Sequence, residues 1–226
     1  MTKFLLNFFF PLHCLACGSE GHLACPSCRK KIPPTENPDD LIRAKIFAIS
    51  DYRDPLVQAL VRVLKYQGWK IASLEIAELI LESTINNPNS FLSSLLTQKI
   101  SPPSAKILLV PVPLSPWRRF RRGYNQAELI AKNLVQLKPD LFELRTDLVK
   151  KIRHTKSQVE IQERHKRLKN LTGAFELVEI NKQNLKDRTI LLLDDVTTTG
   201  TTFQELKKLF HHTQVKEVIC LAFAHG

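Results

Sequence analysis

The string Ile190-Leu191-Leu192-Leu193-Asp194-Asp195-Val196-Thr197-Thr198-Thr199-Gly200-Thr201-Thr202 has the residue types and spacing needed to hold a phosphorylated sugar. Two adjacent carboxylates can accept hydrogen bonds from two vicinal hydroxyls. The small hydroxylated residues after them, broken by Gly200, suit a tight loop. Its backbone N–H groups and threonine hydroxyls would surround a phosphate at the start of a helix beginning near Thr202. The four aliphatics match a strand buried on both faces, so the carboxylates are expected to emerge at its C-terminal end, where open parallel sheets bind ligands. An ordinary strand exit with an Asp cap and a polar turn would need one such residue, not the whole string.

A second chemistry lies near the start. Cys14-x-x-Cys17 and Cys25-x-x-Cys28 are separated by seven residues, the spacing of a zinc ribbon. Two such knuckles can set four thiolates tetrahedrally around Zn²⁺, with Gly18 and Gly21 relaxing the turns, and a closed site of this kind is structural. His13 and His22 are read as bystanders. The fifth cysteine, Cys220, sits in the apolar run Val218 to Phe223 and reads as a buried strand residue.

Two further segments carry candidate groups. Val110-Pro111-Val112-Pro113-Leu114 follows a strand starting at Lys106 and forms a stiffened turn at the same sheet edge as Asp194. Trp117-Arg118-Arg119-Phe120-Arg121-Arg122-Gly123-Tyr124 interleaves guanidinium groups with aromatics before a helix capped at Asn125. Arginine forks bind phosphate oxygens, aromatic faces stack on unpaired bases, and Gly123 would let the segment move as a hood. Lys65, at the end of an earlier helix, either reaches the ligand or is a solvated lysine favoured by the helix dipole.

Charge agrees with anionic partners. The 33 Lys and Arg exceed 22 Asp and Glu to give a net charge of +11, which favours nucleic acid, phosphates or an anionic membrane surface. The lead from Met1 to Leu12 is apolar and rich in Phe, too short to span a bilayer and without a cleavage site. It is read as packing on the domain, with peripheral attachment to the inner face of the membrane as the sharper alternative. No stretch reaches transmembrane length, and the expected location is the cytoplasm, where paired thiols favour metal over disulfide.

These residues need a frame. The proline-rich Ile32 to Pro38 reads as a linker, dividing the chain into an apolar lead and Cys₄ module over 1–38 and a larger domain over 39–226. In the larger part, strands are expected at Ile46 to Tyr52, Lys106 to Val112, Leu144 to Val149 and Ile190 to Leu193, with a final one at the C-terminus. Helices are expected from Asp54-Pro55 to Lys65, Ser73 to Ser83, Asn125 to Leu137, Val159 to Leu168 and Thr202 to Phe210, with mostly loop from Asn86 to Ser104. The alternation implies an α/β fold: a parallel sheet covered by helices on both faces, plus a small N-terminal zinc-ribbon module.

The Asp194 string closely resembles the PRPP-binding motif of type I phosphoribosyltransferases. That resemblance implies that Asp194, Asp195, Val196, Thr197, Thr198, Thr199, Gly200 and Thr201 bind phosphoribosyl pyrophosphate (PRPP). The acidic pair would take the ribose hydroxyls and the loop the 5′-phosphate, with Mg²⁺ bridging sugar and pyrophosphate. Pro111, Val112 and Pro113 resemble the pyrophosphate loop of glutamine amidophosphoribosyltransferases, and Lys65 would reach the same group. Lys65-Tyr66-Gln67-Gly68, Pro111-Val112-Pro113, Arg122-Gly123-Tyr124-Asn125-Gln126, Thr155 with Gln158, Arg164 with Asn170, and the four cysteines together resemble the ComF (competence protein F) family along almost the whole chain. Tyr124 stands where Phe is common, and Thr197 where a larger residue is usual. The resemblance implies handling of single-stranded DNA during natural transformation, beside DNA-uptake machinery at the inner membrane. Trp117, Arg118, Arg119, Arg121, Arg122, Gly123 and Tyr124 would serve as nucleic-acid contact or hood. An active Mg²⁺-dependent transferase acting on a base or amine is the alternative.

Overall fold

A computed structural model describes residues 11–33, 35–86, 93, 106–153, 172–178 and 185–226. The Phe-rich lead to Phe10, the loop expected after Asn86 apart from Ser93, and the expected helix Val159 to Leu168 with Thr155, Gln158, Arg164 and Asn170 lie outside the described residues.

Five parallel strands make the central sheet. They are β1 (Ile46–Asp51), β2 (Ile107–Pro111), β3 (Phe142–Leu144), β6 (Thr189–Thr197) and β7 (Glu217–His225), in the order β1-β7-β6-β2-β3. The three inner strands, β7, β6 and β2, are the most buried, because both of their faces are covered. Side chains alternate between two cores as the strand period of two requires. Leu191 and Leu193 pack with one core, Ile190 and Leu192 with the other.

The first core is covered by helices α3 (Pro55–Tyr66), α4 (Ala72–Asn86) and α6 (Gln126–Leu137). The sequence explains α3 directly: Asp54 Oδ1 accepts from the N–H groups of Leu56 and Val57, Pro55 fits the first turn, and Leu60, Val61 and Leu64 supply the buried stripe. The cysteine module, including the short helix α1 (Pro26–Arg29), adds Leu23 and Ala24 to this same core. The second core is covered by α2 (Asp39–Arg43), α7 (Thr201–Lys208) and an antiparallel pair of short strands, β4 (Val149–Lys151) and β5 (Phe175–Leu177).

Two expectations are corrected, and one segment for which no element was expected takes one. Leu144 to Val149 is not one strand: β3 ends at Leu144 and β4 begins at Val149 in a different sheet. Between them Arg145 gives its N–H to Leu109 O, and its guanidinium bonds both Asp147 oxygens at 2.8 Å, which turns the chain. The acidic strand does not stop before the carboxylates but continues to Thr197, because Asp194 and Val196 pair with Ala222 and Ala224 of β7. The Arg-rich segment folds as helix α5 (Pro116–Arg122), closed by Gly123 in the left-handed region at φ 75°.

Candidate functional site

All five strand ends point the same way, so Asp51, Pro111, the Asp194 to Thr197 stretch and His225 gather at one edge of the sheet. Asp195 is buried and Asp194 half-buried. Asp195 donates its backbone N–H to Asp194 Oδ1 at 2.9 Å, fixing the first carboxylate against the turn of the strand.

Lys65, from the last turn of α3, reaches Asp195 Oδ1 with Nζ at 2.9 Å. It is therefore not a solvated helix-end lysine: its side chain is only 20% exposed. Burial alone would pull its ammonium down, but the facing Asp195 carboxylate outweighs that and leaves it raised. Asp194 behaves in the opposite way. Loss of hydration, followed by repulsion from Asp195, pushes its carboxyl up to about 7, against the pull of Lys65 and the Asp195 N–H.

The loop after the acidic pair is tightly specified. Gly200 has φ +69°, and a Cβ there would stand 2.8 Å from both Ile46 Cδ1 and Leu41 Cδ2, two buried side chains. Glycine is needed both for the left-handed backbone and for the space. Thr199 and Thr201 share a hydroxyl hydrogen bond of 2.6 Å across it, and Thr201 opens α7 with its N-terminus at the loop. His225 Nε2 lies 2.9 Å from Thr198 O, and the Gly226 N–H bonds Thr197 O at 3.0 Å, so the end of β7 braces the loop from outside.

Pro111 pairs with Leu193, and the Val112 N–H bonds Leu193 O at 2.8 Å, which sets the Pro-Val-Pro turn beside the acidic pair. Asn125 holds it there, donating Nδ2 to Val112 O at 2.9 Å while its Oδ1 caps α6 at Ala127. On α5, Arg119 faces Glu128 at 3.3 Å, Arg121 lies over Trp117 and Arg122 donates to Gln126 Oε1 at 2.9 Å. The Tyr124 hydroxyl donates to Leu64 O, in the turn of α3 that carries Lys65.

Lys151 is the functional candidate that sequence reasoning missed. On β4, it stands near enough to Asp194 to pull that carboxyl down. Its own ammonium drops to about 8 through burial and then the neighbouring Arg118, with Asp194 opposing. Its ammonium also lies 5.1 Å from the centre of the Phe175 ring. No local motif marks it, because its nearness to Asp194 joins segments far apart in sequence.

At the other end of the molecule the four thiol sulfurs of Cys14, Cys17, Cys25 and Cys28 all lie within 4.8 Å of one another. A tetrahedral thiolate site with metal–sulfur bonds of about 2.3 Å needs sulfurs ~3.8 Å apart, and Cys17 Sγ and Cys25 Sγ are 3.7 Å apart. The group can hold a metal ion. Gly18, at φ 75°, gives its N–H to Cys14 O and closes the first knuckle. The module is pinned to α4 by Arg29, which bonds Glu75, Glu78 at 2.5 Å and Glu82 at 2.6 Å; its Nε also holds Ala24 O at 2.9 Å. The carboxylates raise the guanidinium further, although burial opposes them.

Residues 121–226 match the phosphoribosyl transferase domain family. With the parallel sheet and the acidic turn at its edge, this defines a protein with a type I phosphoribosyltransferase-like fold. Competence protein F of Haemophilus influenzae is 31% identical over 214 residues, 92% of this chain and 82% of that protein. DNA utilization protein YhgH of Salmonella typhi is 29% identical over 199 residues, 87% of this chain and 76% of that one. The chain belongs to the competence protein F (ComF) family. A hypoxanthine phosphoribosyltransferase from Staphylococcus aureus superposes with a TM-score of 0.36 at 14% identity, covering 68% of this chain and 62% of that one, too slight a likeness to bear on the site.

Proposed function

We propose that the edge of the sheet binds a phosphoribosyl ligand of the PRPP type, and that the protein takes part in handling single-stranded DNA during natural transformation. One observation carries the first half: β6 delivers Asp194 and Asp195 directly into the Gly200 loop and the N-terminus of α7, so diol and phosphate positions follow one another on one stretch of backbone. Asp195 and Asp194 would orient the ribose hydroxyls, and Thr197 to Thr201 would surround the 5′-phosphate. Pro111, Val112 and Pro113 would bound the pyrophosphate, toward which Lys65 turns on leaving Asp195. Mg²⁺ bound with the ligand would screen the charge between pyrophosphate and carboxylates.

The second half is supported by the relatives named for competence and DNA utilization, by the charge of +11 and by the arginine-aromatic helix α5 beside the pocket. The Cys₄ group is proposed to hold Zn²⁺ as a structural ion, since closed thiolate sites of this spacing favour it. The division into an apolar lead and Cys₄ module over 1–38 and a larger domain over 39–226 is part of this proposal, with the module sharing a core with α3 and α4.

Active transfer is a second reading, favoured by the two cations Lys65 and Lys151 that flank the acidic pair. A nitrogen of the acceptor would attack C1 as the C1–O bond to pyrophosphate breaks. The leaving group would carry away the electron pair, and the nitrogen would lose its proton to solvent.

Calorimetric titration with PRPP and Mg²⁺ tests the pocket. Saturable heat is expected from the natural chain and none from Asp195→Asn, which keeps the shape and loses the charge. Equal heat from both would place any binding elsewhere.

A further inference from the structure

Two exposed segments far apart in sequence meet beside the pocket. Tyr66, at the end of α3, and Trp69, in the turn after it, are 65% and 44% exposed; Trp117 and Phe120 on α5 are 53% and 89% exposed. The segments interlock through cations laid on rings. Arg122 of α5 lies 5.5 Å from the centre of the Tyr66 ring, and Lys70 lies 5.3 Å from that of Tyr124. Exposed aromatics gathered in one place mark a surface that is covered in use.

We infer that Tyr66, Trp69 and Lys70 join α5 in one continuous surface that stacks the bases of a single-stranded nucleic acid and ends at the pocket. This rests on the DNA-handling reading and extends it to a segment that carries no basic run. Interleaved rings and cations suit a strand whose bases and phosphates alternate, because rings take the bases and cations the backbone. A duplex keeps its base faces stacked internally and offers them no partner. A membrane surface is a poorer fit: interfacial helices separate an apolar face from a charged one, whereas here the cations lie over the rings and α5 has 7 residues. The surface meets the pocket at the Lys65–Tyr66 peptide link, since Lys65 pairs with Asp195 and Tyr66 is the next residue.

The chain has only two tryptophans, Trp69 and Trp117, one on each segment, so its fluorescence reads this surface alone. Metal-loaded full-length protein would be titrated with an oligo-dT strand, using Trp117→Phe to follow Trp69 and Trp69→Phe to follow Trp117. Both signals are expected to be quenched over the same strand concentrations. Tyr66→Ala should weaken binding roughly tenfold without altering the dependence on salt, because no phosphate contact is lost. Quenching of Trp117 alone, with Tyr66→Ala binding as tightly as the natural chain, overturns the inference while leaving DNA binding on α5. Absence of strand binding by the natural chain means that the DNA reading itself has failed. A response to phosphatidylglycerol vesicles and none to the strand makes this a membrane face and also overturns the inference.

Discussion

Asp194 and Asp195 are held by a sheet that forms without them, whereas Cys14, Cys17, Cys25 and Cys28 belong to a module with little apolar interior of its own. The acidic pair lies on a strand paired along both edges, with Leu191 and Leu193 packed in one core and Ile190 and Leu192 in the other. The knuckle contributes mainly Leu23 and Ala24 to a core built by α3, α4 and α6, and it is tied down by Arg29 and by the Leu23 N–H, which bonds Glu75 Oε1 at 3.2 Å. A site on a regular sheet is prepared before its ligand arrives. A knuckle needs its metal to exist.

Removing the metal ligands should therefore have the largest effect and the most local one. Cys14→Ser with Cys17→Ser should release the metal, a loss on the order of 10 kcal/mol of binding free energy for structural thiolate sites. Hydrogen exchange should rise throughout residues 11–33 while β6 and β7 stay protected. Stoichiometric metal in the double variant, read by elemental analysis, would disprove the four-thiolate site.

Arg29→Met sharpens the same contrast. It leaves Glu75, Glu78 and Glu82 facing one another without their cation, and Glu75 is buried with a side chain 8% exposed. Breaking such a cluster costs about 3 kcal/mol, measurable as a lowered urea midpoint. An unchanged midpoint would mean that the knuckle docks through its apolar contacts and the Leu23 N–H bond to Glu75 without help from Arg29.

In the pocket, Gly200→Ala should cost about 1–3 kcal/mol through left-handed strain and crowding of Ile46 and Leu41. It should also weaken PRPP more than it weakens folding, because the loop itself must shift. Parallel urea and calorimetric measurements separate the two effects.

The smallest effect concerns pH. Asp194 has its carboxyl raised from the usual range to about 7, so between about pH 4 and pH 7 the folded protein keeps a proton that the unfolded chain has lost. Stability from this group is complete at the acid end and declines as pH rises through about 7. Asp194→Asn should remove that decline, and should be the more stable protein at the alkaline end by on the order of 1 kcal/mol after solvent screening. Parallel stability–pH curves for the two proteins would show that Asp194 ionises normally.

What could be read from sequence was local. The β6 string was legible because its burial pattern and its chemistry lie on consecutive residues, and the α3 and α6 caps at Asp54 and Asn125 were legible for the same reason. The strand nevertheless runs past its expected end, because the small Ala222 and Ala224 of β7 accept polar neighbours in register, and composition alone does not show a partner strand. Helix α5 has Pro116 in its first turn and Gly123 after its end, but with 7 residues and none of them buried it has no apolar repeat to mark it as a helix. Lys151 and the Arg29 cluster depend on contacts between distant segments, the latter between residues 46 to 53 positions apart, and no local pattern reports these.

Phosphorus NMR of Mg²⁺-PRPP with and without the protein tests the central claim most directly, since the 5′-phosphate and the pyrophosphate resonate separately. The Gly200 loop should perturb the 5′-phosphate signal, and Asp195→Asn should restore the spectrum of the free ligand. Perturbation of the pyrophosphate signals alone, or a spectrum unchanged by the protein, would contradict a phosphoribosyl site at the end of β6.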